Sequence, residues 1–92
     1  LNQNYPNPFN IETTISFNID ISGFISLEIY DFRGRKVKKL IQKNFDSGEY
    51  SIIWHGENNQ GDILPSGVYS YRLFYSKNDR VGFFTKKMVI IK

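Results

Sequence analysis

The sequence TTISFNIDISGFISLEIY, residues 13–30, contains two short runs in which apolar and polar side chains alternate. The apolar members are Ile15, Phe17 and Ile19 in the first run and Ile25, Leu27 and Ile29 in the second. Successive side chains of a β-strand point to opposite faces, so a period of two places each apolar row on one face. The stretch therefore predicts two half-buried strands joined by a turn at residues 20–23.

Alternating segments of the same kind continue along the chain. The further predicted strands are Lys36–Phe45, the segment containing Tyr50, Ile52 and Trp54, Val68–Tyr75 and Val81–Ile91. The 92 residues include no alanine, and 16% are aromatic, a poor mixture for helices and a favourable one for strands. Turn-forming residues separate the segments at short intervals. We therefore predict an all-β antiparallel β-sandwich of about seven strands, or six if the last strand is unbroken.

One predicted strand does not alternate regularly. Within Lys36–Phe45, the apolar residues Val37 and Leu40 are three positions apart. A β-bulge would restore the register, and a short amphipathic helix is the alternative interpretation. Gly34, in the loop before this strand, is expected to supply the positive φ of a hairpin turn.

A central Trp in a sandwich is usually a core residue. Trp54 alternates with Tyr50 and Ile52, which predicts that it points inward. The predicted core consists of Trp54 with Ile15, Phe17, Leu27, Ile29, Ile52 and Leu73.

The first twelve residues differ from the rest of the chain because they are rich in Asn and Pro. Pro6 and Pro8 lack a backbone N–H and favour extended backbone in the residues before them. We predict an irregular lead-in over residues 1–12, anchored by Tyr5 and Phe9, and a single sandwich domain over residues 13–92. Because the chain begins with Leu rather than Met, we expect it to be the C-terminal part of a larger protein.

Composition argues against several classes of catalytic site. With no Cys and one His, the chain cannot form disulfides, thiolate zinc sites or His-His relays. His55 is not accompanied by the strand-turn-helix elbow of a Ser hydrolase, and the nine Asp and Glu are scattered singly through loops. No apolar run approaches the ~18–20 residues of a membrane helix. We predict a non-catalytic domain that needs no cofactor.

Two ligand classes remain open from the residues alone. Glu57, Asn59 and Asp62 are oxygen-bearing residues in one polar loop, as in calcium loops, although the spacing of an EF-hand is absent. A turn that uses Asn and Gly for backbone reasons is the other interpretation. A row of tyrosines, or the row opposite to it, could form a sugar-stacking platform. Its members are Tyr69, Tyr71 and Tyr75.

Basic residues are concentrated in one segment, although the net charge is only +3. Six of the twelve Lys and Arg lie in residues 33–43. Lysines on an edge strand can block aggregation, and the same cluster could contact an anionic partner. Aromatic residues do not alternate with these charges, so we predict no nucleic-acid binding.

Several motifs, taken in their order along the chain, resemble one known family. They are Asn4-Tyr5-Pro6-Asn7-Pro8-Phe9-Asn10, Ile29-Tyr30-Asp31 before Gly34-Arg35, Gly48-Glu49-Tyr50 before Trp54, Pro65-Ser66-Gly67-Val68-Tyr69, and Lys87-Met88-Val89-Ile90-Ile91-Lys92. This order resembles the C-terminal sorting domain of type IX secretion cargo, type A, over essentially the whole chain. Ile11 and His55 depart from the family, which often has Pro and Asp at these positions.

The resemblance implies an Ig-like β-sandwich that directs an N-terminal passenger from the periplasm across the outer membrane. The implied partners are the type IX outer-membrane machinery and a sortase-like cysteine peptidase. The peptidase commonly removes the domain, near or upstream of residue 1 here, and attaches the passenger to the cell surface. The residues expected to be recognised are Lys87, Met88, Val89, Ile90, Ile91 and Lys92, with Pro6, Asn7, Pro8, Gly34 and Gly67. A monomer is expected, first in the periplasm and then at the cell surface or secreted.

Two other functions compete with this one. A carbohydrate-binding or adhesive module would need an exposed aromatic platform, whereas a purely structural Ig-like module needs only the fold. Only the sorting hypothesis predicts that export of a passenger depends on residues 87–92.

Overall fold

A computed structural model of the chain describes residues 1–92 and contains six β-strands and no α-helix. The strands are β1 (Thr13–Ile19), β2 (Gly23–Tyr30), β3 (Lys36–Phe45), β4 (Gly48–Trp54), β5 (Gly67–Lys77) and β6 (Arg80–Ile90). No helix is long and apolar enough to cross a membrane.

The strands form two antiparallel sheets that pack face to face. One sheet pairs β1 with β4, and the other has the order β3-β2-β5-β6. The predicted all-β sandwich is therefore confirmed, but it has six strands rather than seven. The seventh was expected from a split of the last strand, and β6 instead pairs with β5 without interruption from Arg80 to Ile90.

The β5–β6 hairpin is longer than predicted because its turn is very tight. The predicted turn spans residues 76–79, whereas the structure uses only Asn78 and Asp79, which both have positive φ (49° and 62°). Two positive φ values match the twist of a two-residue hairpin turn, and Asn and Asp tolerate them better than most residues. The strands therefore continue to Lys77 and Arg80.

The irregular third strand is a bulged strand and not a helix. In the β2–β3 register, Leu27 pairs with Ile41 and Glu28 with Lys39, so Leu40 is skipped. A second shift near Tyr30 skips Val37. Both skipped residues pack partly against the core. Two register shifts thus account for apolar residues that are three positions apart.

The core lies between the sheets and is centred on Trp54. Fourteen buried apolar side chains form it: Phe9, Ile15, Phe17, Ile19, Ile25, Leu27, Ile29, Phe45, Trp54, Tyr69, Tyr71, Leu73, Met88 and Ile90. Trp54 is fully buried, and its indole N–H donates to the carbonyl oxygen of Glu57 at 3.0 Å. Ile52 was also predicted in the core but is only partly buried, because β4 is an edge strand with no neighbour beyond it.

The lead-in is irregular, and its first residues run beside β1. The Tyr5 N–H donates to the Thr14 carbonyl at 3.0 Å, and the Thr14 N–H donates back at 2.8 Å. The peptide bonds Tyr5–Pro6 and Asn7–Pro8 are cis. Tyr5 was expected to dock on the sandwich, but its side chain is 80% exposed. The aromatic anchor is Phe9 alone, which packs edge-on against Trp54 with ring centroids 5.8 Å apart.

Candidate recognition site

The two motifs at opposite ends of the sequence lie side by side in the structure. After passing β1, the lead-in crosses to the other sheet and pairs with the end of β6. The Phe9 N–H donates to the Val89 carbonyl at 3.1 Å, and the Ile91 N–H donates to the Phe9 carbonyl at 2.8 Å. The pairing of Phe9 with Ile90 is parallel, unlike every strand pair in the sheets. Residues 6–9 and 87–92 therefore form one continuous surface, which we call the paired-end surface.

Polar side chains reinforce this pairing. The Asn7 Oδ1 accepts the Val89 N–H at 3.0 Å, so a side chain continues the ladder where the lead-in turns away. The Gln3 Nε2 donates to the Lys87 carbonyl at 2.7 Å. The Ser66 Oγ accepts the Lys92 N–H at 3.0 Å. These bonds hold residues 87–92 in a defined backbone conformation.

A buried polar network holds the lead-in between the sheets. The Tyr71 hydroxyl accepts the Asn4 N–H at 2.8 Å and donates to the Asn2 carbonyl at 2.7 Å. The Asn4 side chain is buried and donates to Thr13 Oγ1 at 2.9 Å, and the Thr13 hydroxyl donates to the Pro6 carbonyl at 2.8 Å. Burial raises the pKa of Tyr71, so the hydroxyl stays neutral and can both donate and accept.

Tyr71→Phe is expected to destabilise the chain by about 1–3 kcal/mol, because it leaves the buried N–H of Asn4 without its partner and also removes the bond to the Asn2 carbonyl. The lead-in should loosen first, so amide exchange at Asn4 and Tyr5 should accelerate more than exchange in β2. Urea unfolding and hydrogen exchange measure the two effects. Leu73→Val, a change in the same strand without a polar partner, is the matched control. Unchanged exchange at Asn4 in Tyr71→Phe would contradict the network.

The predicted recognition residues divide into buried and exposed members. Met88 and Ile90 are fully buried and belong to the core, and Val89 is half-buried. The exposed members are Lys87, Ile91, Lys92, Pro6, Asn7 and Pro8. The two lysines and Ile91 are therefore accessible from outside, whereas the core positions of Met88 and Ile90 fix where these side chains stand.

The two predicted glycines lie at the borders of this surface. Gly34 has φ +83° and open space around its Cα, as expected for a turn residue. It lines a small cleft together with Lys87, so the β2–β3 turn reaches the paired-end surface. Gly67 is the first residue of β5 and pairs with Ile90. All eleven predicted residues are thus brought to one end of the sandwich.

Exposed isoleucines extend this surface toward the β4–β5 loop. Ile11, Ile63 and Ile91 are all exposed. Ile11 and Ile63 line a shallow cleft of about 280 Å³ that also touches His55 and Lys92. The combination is an apolar patch with a cation at its border, which suits a protein partner better than a small polar ligand.

The predicted calcium residues do not form a ligand set. One Glu57 carboxylate oxygen pairs with Lys38 at 3.2 Å, and the other is buried without a hydrogen-bond partner. The Asn59 Oδ1 accepts the Lys39 N–H at 3.0 Å, while the exposed Asp62 donates its N–H to Asn58 Oδ1 at 2.9 Å. No group of three or more His, Asp and Glu is arranged to hold a metal ion. The loop is a hydrogen-bonded turn that also covers Trp54.

The tyrosine platform predicted as a sugar site faces inward. Tyr69 and Tyr71 are buried in the core, and Tyr75 is half-buried and stacks on Phe84. In the opposite row, the Arg72 guanidinium lies over the Phe83 ring at 4.6 Å. The tyrosines therefore carry no sugar-binding surface.

Much of the basic cluster is neutralised within the chain. Lys36 pairs with Glu28 at 3.0 Å, Lys38 with Glu57 at 3.2 Å, and Arg35 with Asp31 at 3.0 Å. Burial alone would raise the pKa of Glu28, but the hydrogen bonds from Tyr30 and Lys36 outweigh it and lower that pKa.

The pKa of Asp31 is also lowered, chiefly by the Arg35 N–H. These pairs and the edge position of β3 favour edge protection over an anionic partner.

A family comparison connects this geometry to known proteins. The sequence model of the FlgD Ig-like domain matches residues 6–79. The chain belongs to the FlgD Ig-like domain family. The matched range of this FlgD-type Ig domain ends before β6, so residues 87–92 lie outside it. No curated protein sequence matches the chain.

Solved structures of other proteins share the fold. A FlgD structure from P. aeruginosa superposes with a TM-score of 0.70 at 22% identity over 85% of this chain, and truncated FlgD from Helicobacter pylori does so with 0.64 at 20% over 95%. Dimeric latent PorU from Porphyromonas gingivalis gives a TM-score of 0.79 at 23% identity over 97% of this chain. The chain spans 61% and 63% of the two FlgD chains and 9% of the PorU chain. The FlgD-type Ig domain is a non-catalytic structural fold.

Proposed function

We propose that this FlgD-type Ig domain is a type IX secretion sorting domain that carries an N-terminal passenger across the outer membrane. The observation that supports the proposal most is the paired-end surface. The two motifs on which the resemblance depends are more than seventy residues apart in sequence, and they meet in one ladder of hydrogen bonds. A surface assembled from both ends exists only in the folded domain, so it can report that folding is complete.

Recognition would use the exposed parts of that surface. Lys87 and Lys92 bracket residues whose buried members, Met88 and Ile90, fix the strand in the core. A receptor could contact the two cations and the Ile11–Ile91 patch without unfolding anything. The rest of the pathway follows from the resemblance: transit through the periplasm, recognition by the outer-membrane machinery, removal by a sortase-like cysteine peptidase, and a surface-attached or secreted passenger. A monomer suffices for these steps.

The PorU structure adds support of a limited kind. PorU is a type IX secretion protein, and its match covers 97% of this chain, including β6. The FlgD family match stops at residue 79. At 95% coverage the FlgD structure from Helicobacter pylori also includes part of β6, so the PorU match supports the fold at this end of the chain and does not by itself distinguish sorting from a structural role.

A structural module is the second candidate, and family membership favours it. An Ig-like domain of FlgD type can serve as a spacer or a packing module with no recognition surface of its own. Under this hypothesis the lysines and the exposed isoleucines are ordinary surface residues. The two hypotheses differ in what the domain does to a passenger.

The test is transplantation of the domain. A reporter with a signal peptide is fused ahead of residues 1–92 and expressed in a bacterium with type IX machinery and in a mutant without it. We expect the reporter at the surface or in the medium only when the machinery is present. The matched control replaces this domain by the Ig domain of FlgD, which should leave the reporter in the periplasm. Retention of both fusions in the periplasm would reject the sorting function and favour the structural module.

A further inference from the structure

The edge of β6 has no partner between residues 80 and 86. In an antiparallel pair every second residue directs its N–H and C=O to the neighbouring strand, and the others direct them away. Val89 directs its N–H and C=O away from β5 and toward the lead-in, so every second residue before it also directs these two groups away from β5. In the bare part of the strand these residues are Val81, Phe83 and Thr85, and their backbone N–H and C=O take part in no hydrogen bond.

The other sheet edges are covered or interrupted. The edge of β3 has two register shifts, and Asn59 bonds across it to Val37 and Lys39. The edge of β1 is paired with the start of the lead-in. The free edge of β4 carries the exposed acidic Glu49 and the exposed polar Ser51. Short, charged or bulged edges are the usual means of preventing strand addition.

The bare part of β6 has only the cations at its two ends as protection, and its middle is uncharged. It contains no Pro and no acidic residue, and it pairs with β5 without a bulge. Val81 is 79% exposed, and Phe83 and Phe84, which point to opposite faces, are each 55% exposed. Cations flank the segment, Arg80 at one end and Lys86 at the other. A regular, unpaired edge with exposed apolar side chains in its middle is a template for an added strand.

We propose that residues 80–86 bind an extended polypeptide segment that is apolar in the middle and acidic at both ends, as a fifth strand of this sheet. Acidic ends complement Arg80 and Lys86. A second copy of β6 would place Arg80 opposite Lys86, and like charges in that position oppose pairing. The surface is separate from residues 87–92, and the inference does not depend on the sorting function.

The probe is a capped heptapeptide of alternating Val and Thr with Asp at both ends. It is titrated at low ionic strength into the ¹⁵N-labelled 92-residue chain, and amide exchange is followed by NMR. At saturation, exchange at Val81, Phe83 and Thr85 should slow at least about tenfold, because these amides acquire acceptors. The same peptide with Lys at both ends should bind about threefold to tenfold more weakly, as expected for two exposed ion pairs.

A pair of variants separates strand addition from other contacts. Thr85→Pro removes one outward N–H and leaves the bonds to β5 intact, a position at which edge strands tolerate Pro. Thr85→Val keeps the N–H and loses only the hydroxyl that accepts from Arg72. Peptide affinity should fall at least about tenfold in Thr85→Pro and stay within about twofold in Thr85→Val. The proposal is overturned by no protection at millimolar peptide, by equal binding of the Lys-ended peptide, or by self-association that protects these amides without peptide.

Discussion

Trp54→Ala should lower the free energy of unfolding by about 3–5 kcal/mol, the usual cost of deleting a buried Trp. Trp54 is fully buried and lies edge-on to Phe9 and Tyr69, with ring centroids 5.8 and 6.1 Å away. It therefore joins the lead-in to β5 through the core. A domain of this size has a total stability of roughly 5–14 kcal/mol, so the loss is a large part of the whole.

Urea unfolding of Trp54→Ala measures this loss directly. Trp54→Phe is the matched control: it retains an aromatic ring against Phe9 but loses the indole N–H that donates to Glu57, so its loss should be smaller. A loss below about 1 kcal/mol in Trp54→Ala, a value typical of surface positions, would contradict the packing around this residue.

Deleting residues 87–92 is expected to unfold the chain. The deletion removes Met88 and Ile90 from the core, each worth about 2–5 kcal/mol by comparison with truncation to Ala. It also removes the backbone groups that pair with Phe9 and Asn7, so the lead-in loses these hydrogen bonds to the last strand and keeps only those to β1 and Tyr71. The combined loss approaches the total stability of a 92-residue domain, roughly 5–14 kcal/mol.

Circular dichroism and amide NMR dispersion of the truncated chain measure this effect. A chain that ends at Lys86 should show neither the far-ultraviolet signal of the sheet nor dispersed amide resonances. A well-dispersed spectrum would show that β6 is dispensable beyond that point. Since the deletion removes fold and surface together, loss of export in such a chain says nothing about recognition, and point variants are required.

Most of the fold could be predicted from periodicity. The apolar rows of β1 and β2 alternate with polar residues without a break because both strands bury the apolar row against the opposite sheet, and β2 buries Ser26 and Glu28 on its other face as well. The bulge in β3 was visible as the spacing of Val37 and Leu40. The number of strands was overestimated because length alone does not show whether an eleven-residue strand is broken. Ile52 fits the inward row, but periodicity does not reveal that its strand has no outer neighbour.

The candidate site could be predicted only in part. The motif residues were identified by resemblance, and nothing in their spacing places residues 6–9 beside residues 87–92. That contact depends on individual hydrogen bonds between residues far apart in sequence, such as those of Asn7 and Tyr71, and such bonds leave no periodic signal. Asn4 and Gln3 were missed for this reason. The one signal available in the sequence was that Asn4 belongs to the first motif. The structure adds that its side chain is buried, so it holds the fold and does not contact a partner directly.

The structure also gives the motif residues different roles. Asn4, Asn7 and Phe9 hold the lead-in to the sandwich through buried or ladder contacts. Lys87 and Lys92 make no ion pair within the chain, and both are exposed. Folding explains the first group, whereas the second group is available for a partner. The two lysines are therefore the residues on which a sorting function can be tested without disturbing the fold.

The most direct test of the sorting function is the export of a reporter fused to Lys87→Gln/Lys92→Gln. Both side chains are exposed, so the free energy of unfolding should stay within about 0.5 kcal/mol of the parent chain. Lys39→Gln/Lys43→Gln makes the same charge change on the opposite edge of the sheet and serves as the matched control. We predict that a type IX host exports the parent and the control but retains the Lys87→Gln/Lys92→Gln fusion as a folded protein in the periplasm. Export of that fusion at the parental level would contradict recognition through these two lysines.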